Sequence, residues 1–235
     1  MSMDKRPAVI GQMFDRIAPT YDRLNTILSL GIDRLWRRRA VRLLGASQGQ
    51  LCLDIASGTG DLAREMLRQG GGPVIGIDLS RRMLAQTGAK LSRAAYQPVA
   101  GDALRLPFKD ESFARAMVGF GVRNMQNLDG FLTETRRVLK ERGRLAILEF
   151  SLPRLPMIRQ AYLFYFTRVL PLVGGLISGE RAAYAYLRDS VLDFPAPEAL
   201  ETRMLAQGFD IDYSRPLMFG IAHLYILEKA GPLRT

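Results

Sequence analysis

The segment Leu51-Cys52-Leu53-Asp54-Ile55-Ala56-Ser57-Gly58-Thr59-Gly60-Asp61-Leu62 decides the fold. Its apolar first half reads as a buried strand, its glycines as a tight turn, and the residues from Leu62 onward as a helix. Gly58 and Gly60 let the backbone turn sharply and come close to a ligand. The same alternation repeats outward along the chain. Strands are predicted at 51–55, 74–77, 96–99, 113–118, 144–150, 210–213 and 221–227, and helices at 62–69, 81–90, 128–139 and 197–207. Alternation at this spacing indicates an α/β, doubly wound, largely parallel sheet that binds its ligand at the carboxyl ends of the strands.

Charge indicates what the turn holds. Gly58-Thr59-Gly60-Asp61-Leu62-Ala63 also fits the G-x-G-x-x-A loop of a dinucleotide site. Such a site sets a pyrophosphate at the helix start, where anions are favoured and extra carboxylates are not. Here Asp54 stands before the turn and Asp61 after it. Those acids suit the ammonium and sulfonium of S-adenosylmethionine and would repel a pyrophosphate. Roughly 20 residues on, Asp78-Leu79 closes the second strand with an acid placed to hold two ribose hydroxyls. Gly101-Asp102-Ala103 follows the third strand; Asp102 is placed to accept from an adenine amino group and Ala103 to offer its backbone N–H. The candidate donor-binding residues are therefore Asp54, Ala56, Ser57, Gly58, Thr59, Gly60, Asp78, Leu79, Asp102 and Ala103. Any one of the acids could be a surface or capping residue, but together at successive strand ends they form a constellation.

The 235 residues, 48% hydrophobic and 24% charged, suffice for one large domain with a substantial core. A single cysteine, Cys52, excludes an internal disulfide and agrees with a reducing, cytoplasmic compartment. With His223 the only histidine, the ~four N or S ligands of a zinc site are lacking, and no metal is expected. The opening residues carry no signal-peptide core. The most apolar stretch, 155–177, is broken by Arg159, Arg168, prolines and Gly174-Gly175, which argues against a spanning helix and leaves peripheral contact with the inner membrane face open. Net charge is +10, densest at Arg34, Arg37, Arg38, Arg39 and Arg42 around Trp36. That cluster reads either as attraction for the phosphates of RNA or lipid headgroups, or as a solvated helix face.

Residues 7–44 read as helices, with Met13, Ile17, Tyr21, Leu24, Ile27 and Leu28 at helical spacing. Residues 151–194 are too many for a bare connection and should carry helices of their own. Both segments are expected to cap the strand ends. The chain then divides into an N-terminal helical cap at 1–46, a donor-binding half at 47–150, a helical insertion after the fifth strand at 151–195, and a last helix with two strands at 196–235.

These motifs resemble class I S-adenosylmethionine-dependent methyltransferases, whose Rossmann-like sheet has seven strands. A narrower likeness lies in Met13-Phe14-Asp15-Arg16-Ile17-Ala18-Pro19-Thr20-Tyr21-Asp22-Arg23-Leu24-Asn25, Gly31-Ile32-Asp33-Arg34-Leu35-Trp36-Arg37 and Gly119-Phe120-Gly121-Val122-Arg123-Asn124. Leu148-Glu149-Phe150-Ser151, Ala183-Tyr184-Ala185-Tyr186-Leu187, Ser190 and Phe194-Pro195 continue it. From about Val9 to Lys229 the chain resembles the ubiquinone/menaquinone biosynthesis C-methyltransferases. Ala56 departs from the first glycine of many methyltransferases, and 222–227 is less typical, which leaves the particular quinone open.

The resemblance implies methylation of a ring carbon of demethylmenaquinol or a polyprenyl benzoquinol, with S-adenosylhomocysteine as co-product. It implies that Arg123 binds the quinolate oxygen or orients a water that takes the proton, being too basic to act as the base itself. Asn124 would fix the second ring oxygen, and Tyr21 would reach the methionine part of the donor or the ring. The structural alternatives are an ion pair for Arg123 and core packing for Tyr21. The acid-free stretches 161–166 and 169–173 read as a groove for the isoprenoid tail, an interfacial helix, a buried cap helix or a homo-oligomer interface. An RNA methyltransferase would usually carry a separate RNA-binding module, and none is visible, so no nucleic-acid partner is expected. A different lipid-like acceptor would share only the donor motifs. A non-catalytic scaffold would have lost Arg123, Asn124 and Tyr21, which are all present.

Overall fold

The computed structural model describes residues 3–46 and 48–231, apart from the side chains of residues 173, 176–178 and 181. Residues 1, 2, 47 and 232–235 of the expected segments, and the Val173 side chain of the apolar stretch, lie outside the described residues. The strands are β1 (Cys52–Ile55), β2 (Val74–Asp78), β3 (Tyr96–Ala100), β4 (Phe113–Gly119), β5 (Leu139–Phe150), β6 (Phe209–Leu217) and β7 (Ala222–Lys229). They form one sheet in the order β3-β2-β1-β4-β5-β7-β6. The first five run parallel, and β7 is antiparallel to both its neighbours. The helices are α1 (Pro7–Ile17), α2 (Tyr21–Leu28), α3 (Ile32–Leu44), α4 (Asp61–Arg68), α5 (Arg81–Gln86), α6 (Leu128–Val138), α7 (Pro156–Phe164), α8 (Leu170–Ser178), α9 (Arg181–Leu192) and α10 (Pro197–Ala206).

Because side chains alternate across a strand, the sheet divides its apolar residues between two cores. Leu53, Ile55, Leu145 and Ile147 face α6 and α10 through Phe131, Leu132, Leu200 and Met204. Cys52, Ala146 and Leu148 face α3 and α4 through Trp36, Val41, Leu44 and Met66. Truncating a fully buried residue such as Leu53 to alanine would cost about 2–5 kcal/mol.

Four elements differ from the expectation, one of them β5, which begins at Leu139 instead of residue 144. α3 lies against the sheet face instead of over the strand ends, because its apolar stripe of Trp36, Ala40, Val41 and Leu44 is buried there. β6 runs past Tyr213 through Pro216 to Leu217. It is an edge strand, where a residue without an N–H is tolerated. The helix expected at 81–90 ends at Gln86 and tightens into a 3₁₀ turn, Thr87–Ala89, whose Thr87 hydroxyl bonds back to the Leu84 carbonyl. In the insertion, α7 passes into α8 through a π-helical turn, Tyr165–Val169, just before Pro171.

Candidate active site

Parallel β1, β2, β3 and β4 bring their carboxyl ends to one edge of the sheet, and the loops that follow them form a cleft there. Ala56, Gly58 and Gly60 all have positive φ, at 51°, 54° and 83°. Ala56 packs its methyl group directly against Gly121: a Cβ on Gly121 would meet Ala56 Cβ at 2.7 Å. Asp78 is held ready by two backbone donors, Gly58 N–H and Ser80 N–H, each at 2.8 Å. Burial nonetheless pushes its carboxyl above the usual range. Asp102 accepts from Leu104 N–H at 2.9 Å. Ala56, Gly58, Asp78, Leu79, Asp102 and Ala103 line the cleft, with Ile77, Met83 and Leu104 supplying apolar walls for a flat ring. Asn124 lines it too, and its buried Oδ1 has no hydrogen-bond partner among the described residues.

Other candidates shape this cleft from beneath and do not line it. Asp54, 1% exposed, accepts from Ala63 N–H at 3.0 Å and so fastens the start of α4; burial pushes it up to about 8. The Ser57 hydroxyl meets Tyr96 at 3.2 Å. Thr59 donates to Asp22 at 2.6 Å and accepts from Lys90 at 2.8 Å. Gly60 precedes α4 and sits against Thr87 and Leu91. Asp61 pairs with Lys90 at 2.8 Å, with Arg37 at 4.0 Å. Burial works against its charge, but these cations outweigh it and hold the carboxyl below the usual range. Asp61 therefore has its counter-charges inside the protein, and the expectation that it faces a sulfonium does not hold.

The N-terminal helices roof the cleft and are tied to it at two points. Asp15 of α1 accepts from the Ser80 hydroxyl at 2.6 Å and Arg82 N–H at 3.1 Å. Asp22 of α2 bonds to Thr59 and pairs with Lys90. This brings Ile10, Phe14 and Tyr21 over the donor loops.

A second cavity of about 470 Å³ lies beside the first, between the N-terminal helices and the 151–195 insertion. Phe14, Tyr21 and Phe120 line both, so the two spaces meet at this aromatic junction. Ile17, Trp36, Phe150, Phe166, Leu170 and Leu187 make the second cavity largely apolar. Arg123, 6% exposed, is one of its charged lining residues, with Arg37 and Asp33. Glu149 Oε1 takes its Nη1 at 3.0 Å and Oε2 its backbone N–H at 3.1 Å; the Phe120 carbonyl also accepts from Nη1, and the guanidinium lies 5.4 Å from the Phe150 ring centre. Arg123 is thus both an ion-pair member and part of a cavity wall. Among the described residues its buried Nε has no partner, nor do the buried hydroxyls of Tyr162 and Tyr186 in the same cavity. Unpartnered buried polar groups are costly, so a wall that gathers three of them is suited to a ligand bearing oxygens. Burial raises Tyr21 and pushes Tyr186 up to about 12, which keeps both neutral and able to donate at pH 7.

Sequence reasoning passed over Phe14, Phe120, Glu149, Tyr162 and Tyr186 as site residues. All but Tyr162 sit within the motifs that carried the resemblance, and Tyr162 falls in the apolar stretch. Within that stretch Phe166 lines the cavity, whereas Phe164 is 65% exposed and faces away from it. Among the described residues no helix is long and apolar enough to cross a membrane.

The sheet order and the cleft define a class I S-adenosylmethionine-dependent methyltransferase. In overall shape the chain is similar to a possible histamine N-methyltransferase from Thermotoga maritima, at a TM-score of 0.68 over 93% of this chain and 99% of that one; at 19% identity the likeness concerns the fold alone. The family model for the ubiE/COQ5 methyltransferase family matches residues 2–229, and the chain belongs to that family. It is 44% identical to the ubiquinone/menaquinone biosynthesis C-methyltransferase UbiE of Geobacter sulfurreducens, covering 94% of this chain and 88% of that protein. It is 45% identical to a demethylmenaquinone methyltransferase of Thermus thermophilus, covering 92% and 100% respectively.

Proposed function

We propose that this enzyme methylates a ring carbon of a polyprenylated quinol, either demethylmenaquinol or a 2-polyprenyl-1,4-benzoquinol. The observation that carries the reading is the junction of a donor cleft with a largely apolar cavity whose lining includes Arg123 and, within reach of its charge, Tyr162 and Tyr186. The relatives' names supply the substrate class. An apolar cavity also disfavours a phosphate-bearing nucleotide as acceptor, so no nucleic-acid partner is proposed. An isoprenoid tail keeps its bearer in a bilayer, and on this reading the enzyme works at the membrane's cytoplasmic face.

The residues fit the donor. Asp78 would hold the ribose hydroxyls, Asp102 and the Ala103 N–H the adenine, and the unpartnered Asn124 Oδ1 the ammonium. Asn124 faces the donor side, so the second quinol oxygen falls to Tyr162 or Tyr186 in its place. Bound there, S-adenosylmethionine supplies a methyl group on a cationic sulfur, open to in-line attack. Arg123, fixed by Glu149, would orient a water that takes the proton of a ring hydroxyl and would stabilise the quinolate oxygen left, which pushes electron density into the ring carbon. Held there, the donor would give up its methyl and leave as S-adenosylhomocysteine, and water would carry away the hydrogen displaced from the ring as a proton. Phe14, Tyr21 and Phe120 hold ring and donor in register and keep water from the junction.

The test is methyl transfer from labelled S-adenosylmethionine to reduced demethylmenaquinol and reduced polyprenyl benzoquinol, in wild type and Arg123→Ala. Transfer to either quinol that is lost in the variant supports the reading; donor binding without transfer to either sinks it.

A further inference from the structure

Resting on the quinol reading, we infer that two loop tips at the cavity mouth, with the basic face beside them, form the surface on which the enzyme settles on an anionic lipid bilayer. The tips are Leu30, between α2 and α3, and Met218-Phe219, between β6 and β7. Leu30 is 84% exposed and Phe219 68%. All three residues have positive φ, at 52°, 45° and 58°. Positive φ at an exposed turn is the ordinary place of glycine or asparagine. Here the chain instead accepts backbone strain and leaves large apolar side chains in water. Strain of this kind gathers at functional sites, where the surroundings hold it in place.

Position supplies the second observation. Leu30 and Met218 line the mouth of the apolar cavity, together with the half-exposed Ile27. Arg39 donates to the Tyr213 hydroxyl at 2.8 Å, which joins α3 to β6 and sets the two tips on one side of the molecule. Charge is the third. Arg34, Arg38, Arg39 and Arg42 are exposed along α3, and Arg215 is exposed on β6 just before the second tip. The one acid of α3, Asp33, turns inward to Arg37, and Asp212 of β6 is held by Arg144 at 3.0 Å. Apolar tips flanked by cations suit an acyl layer beneath anionic headgroups. With the tips inserted, the cavity opens onto hydrocarbon, so a tail can enter without crossing water. An RNA would engage the arginines but gain nothing from the tips.

Cosedimentation with phosphatidylcholine vesicles, with or without phosphatidylglycerol, reads the surface. Wild type is expected to bind the anionic vesicles several-fold better than the neutral ones and to release them as salt is raised. Leu30→Gly and Phe219→Gly place glycine where the backbone already suits it, so the melting temperature holds or rises. Each is expected to weaken vesicle binding on the order of tenfold, as befits one large apolar side chain no longer buried. Wild-type strength in the double glycine variant, or wild type that binds neither vesicle, overturns the surface. Loss of a dimer or of RNA binding in that variant, with vesicle binding intact, overturns it as well. Wild-type transfer to a tail-free, water-soluble quinol separates the two readings. Transfer without vesicle binding sinks the surface and leaves the chemistry. Vesicle binding lost in the glycine variants, without transfer to any quinol, upholds the surface and sinks the chemistry.

Discussion

Gly121→Ala is a sharp test of how the donor loop is held. Gly121 has φ −112°, so alanine meets no backbone objection there. The added Cβ would stand 2.7 Å from Ala56 Cβ and 3.2 Å from Val118 Cγ2. Ordinary carbon contact begins near ~3.5 Å, so one loop must give by the better part of an ångström. Overpacking on this scale costs about 1–3 kcal/mol. Because Ala56 lines the donor cleft, part of that cost should appear as weaker S-adenosylmethionine binding, about tenfold for 1.4 kcal/mol. Ala56→Gly removes the opposing methyl and relieves a left-handed residue worth about 1 kcal/mol, less the freedom glycine adds to the unfolded chain. In that background Gly121→Ala should cost little, giving a coupling of about 1–2 kcal/mol between the two positions. Urea unfolding and donor titration calorimetry on the four proteins measure it. Equal costs for Gly121→Ala in both backgrounds would refute the reasoning.

Glu149→Gln strips Arg123 of its buried counter-charge and should destabilise the protein by about 3–5 kcal/mol in urea, while lowering quinol turnover more than donor affinity. Asp54 should make stability fall as pH rises. Its carboxyl is raised from 3.8 to about 8 in the folded protein, so between those values the unfolded chain has lost a proton that the folded one keeps. The slope from this group is at most about 1.4 kcal/mol per pH unit, and Asp54→Asn should flatten the measured curve over that window. Phe166→Ser should raise KM for long-tailed quinols and spare tail-free ones, whereas Phe164→Ser should change neither; equal effects at the two positions would contradict the cavity wall described above.

The glycine turn and the acids at successive strand ends made the sheet and much of the donor cleft readable from the chain alone. Asp78 closes β2 and Asp102 follows β3 by two residues, so both could be located at the edge where a parallel sheet gathers its carboxyl ends. Asp61 was misjudged because its partners, Arg37 and Lys90, lie on other elements, and charge along the sequence does not reveal pairing across the fold. The quinol side was less readable for the same reason. Its walls come from segments more than a hundred residues apart, as in the bond from the Tyr165 hydroxyl to the Leu28 carbonyl. Phe164 and Phe166 fall on opposite faces of a helix, but the run 161–166 is aromatic and aliphatic all round, so no polar side marks which of the two turns inward. Tyr186 lies in a motif of the resemblance and Tyr162 in the apolar stretch, but what marks their hydroxyls is the lack of a partner among the described residues, which the sequence does not display.

The central claim is attack by a reduced ring carbon, and it is tested most directly by offering one demethylnaphthoquinone in its reduced and oxidised forms and locating the labelled methyl group by NMR. A carbon-bound methyl is expected on the ring of the reduced form, with no incorporation into the oxidised one. A methyl on oxygen, or equal incorporation into both forms, would contradict it.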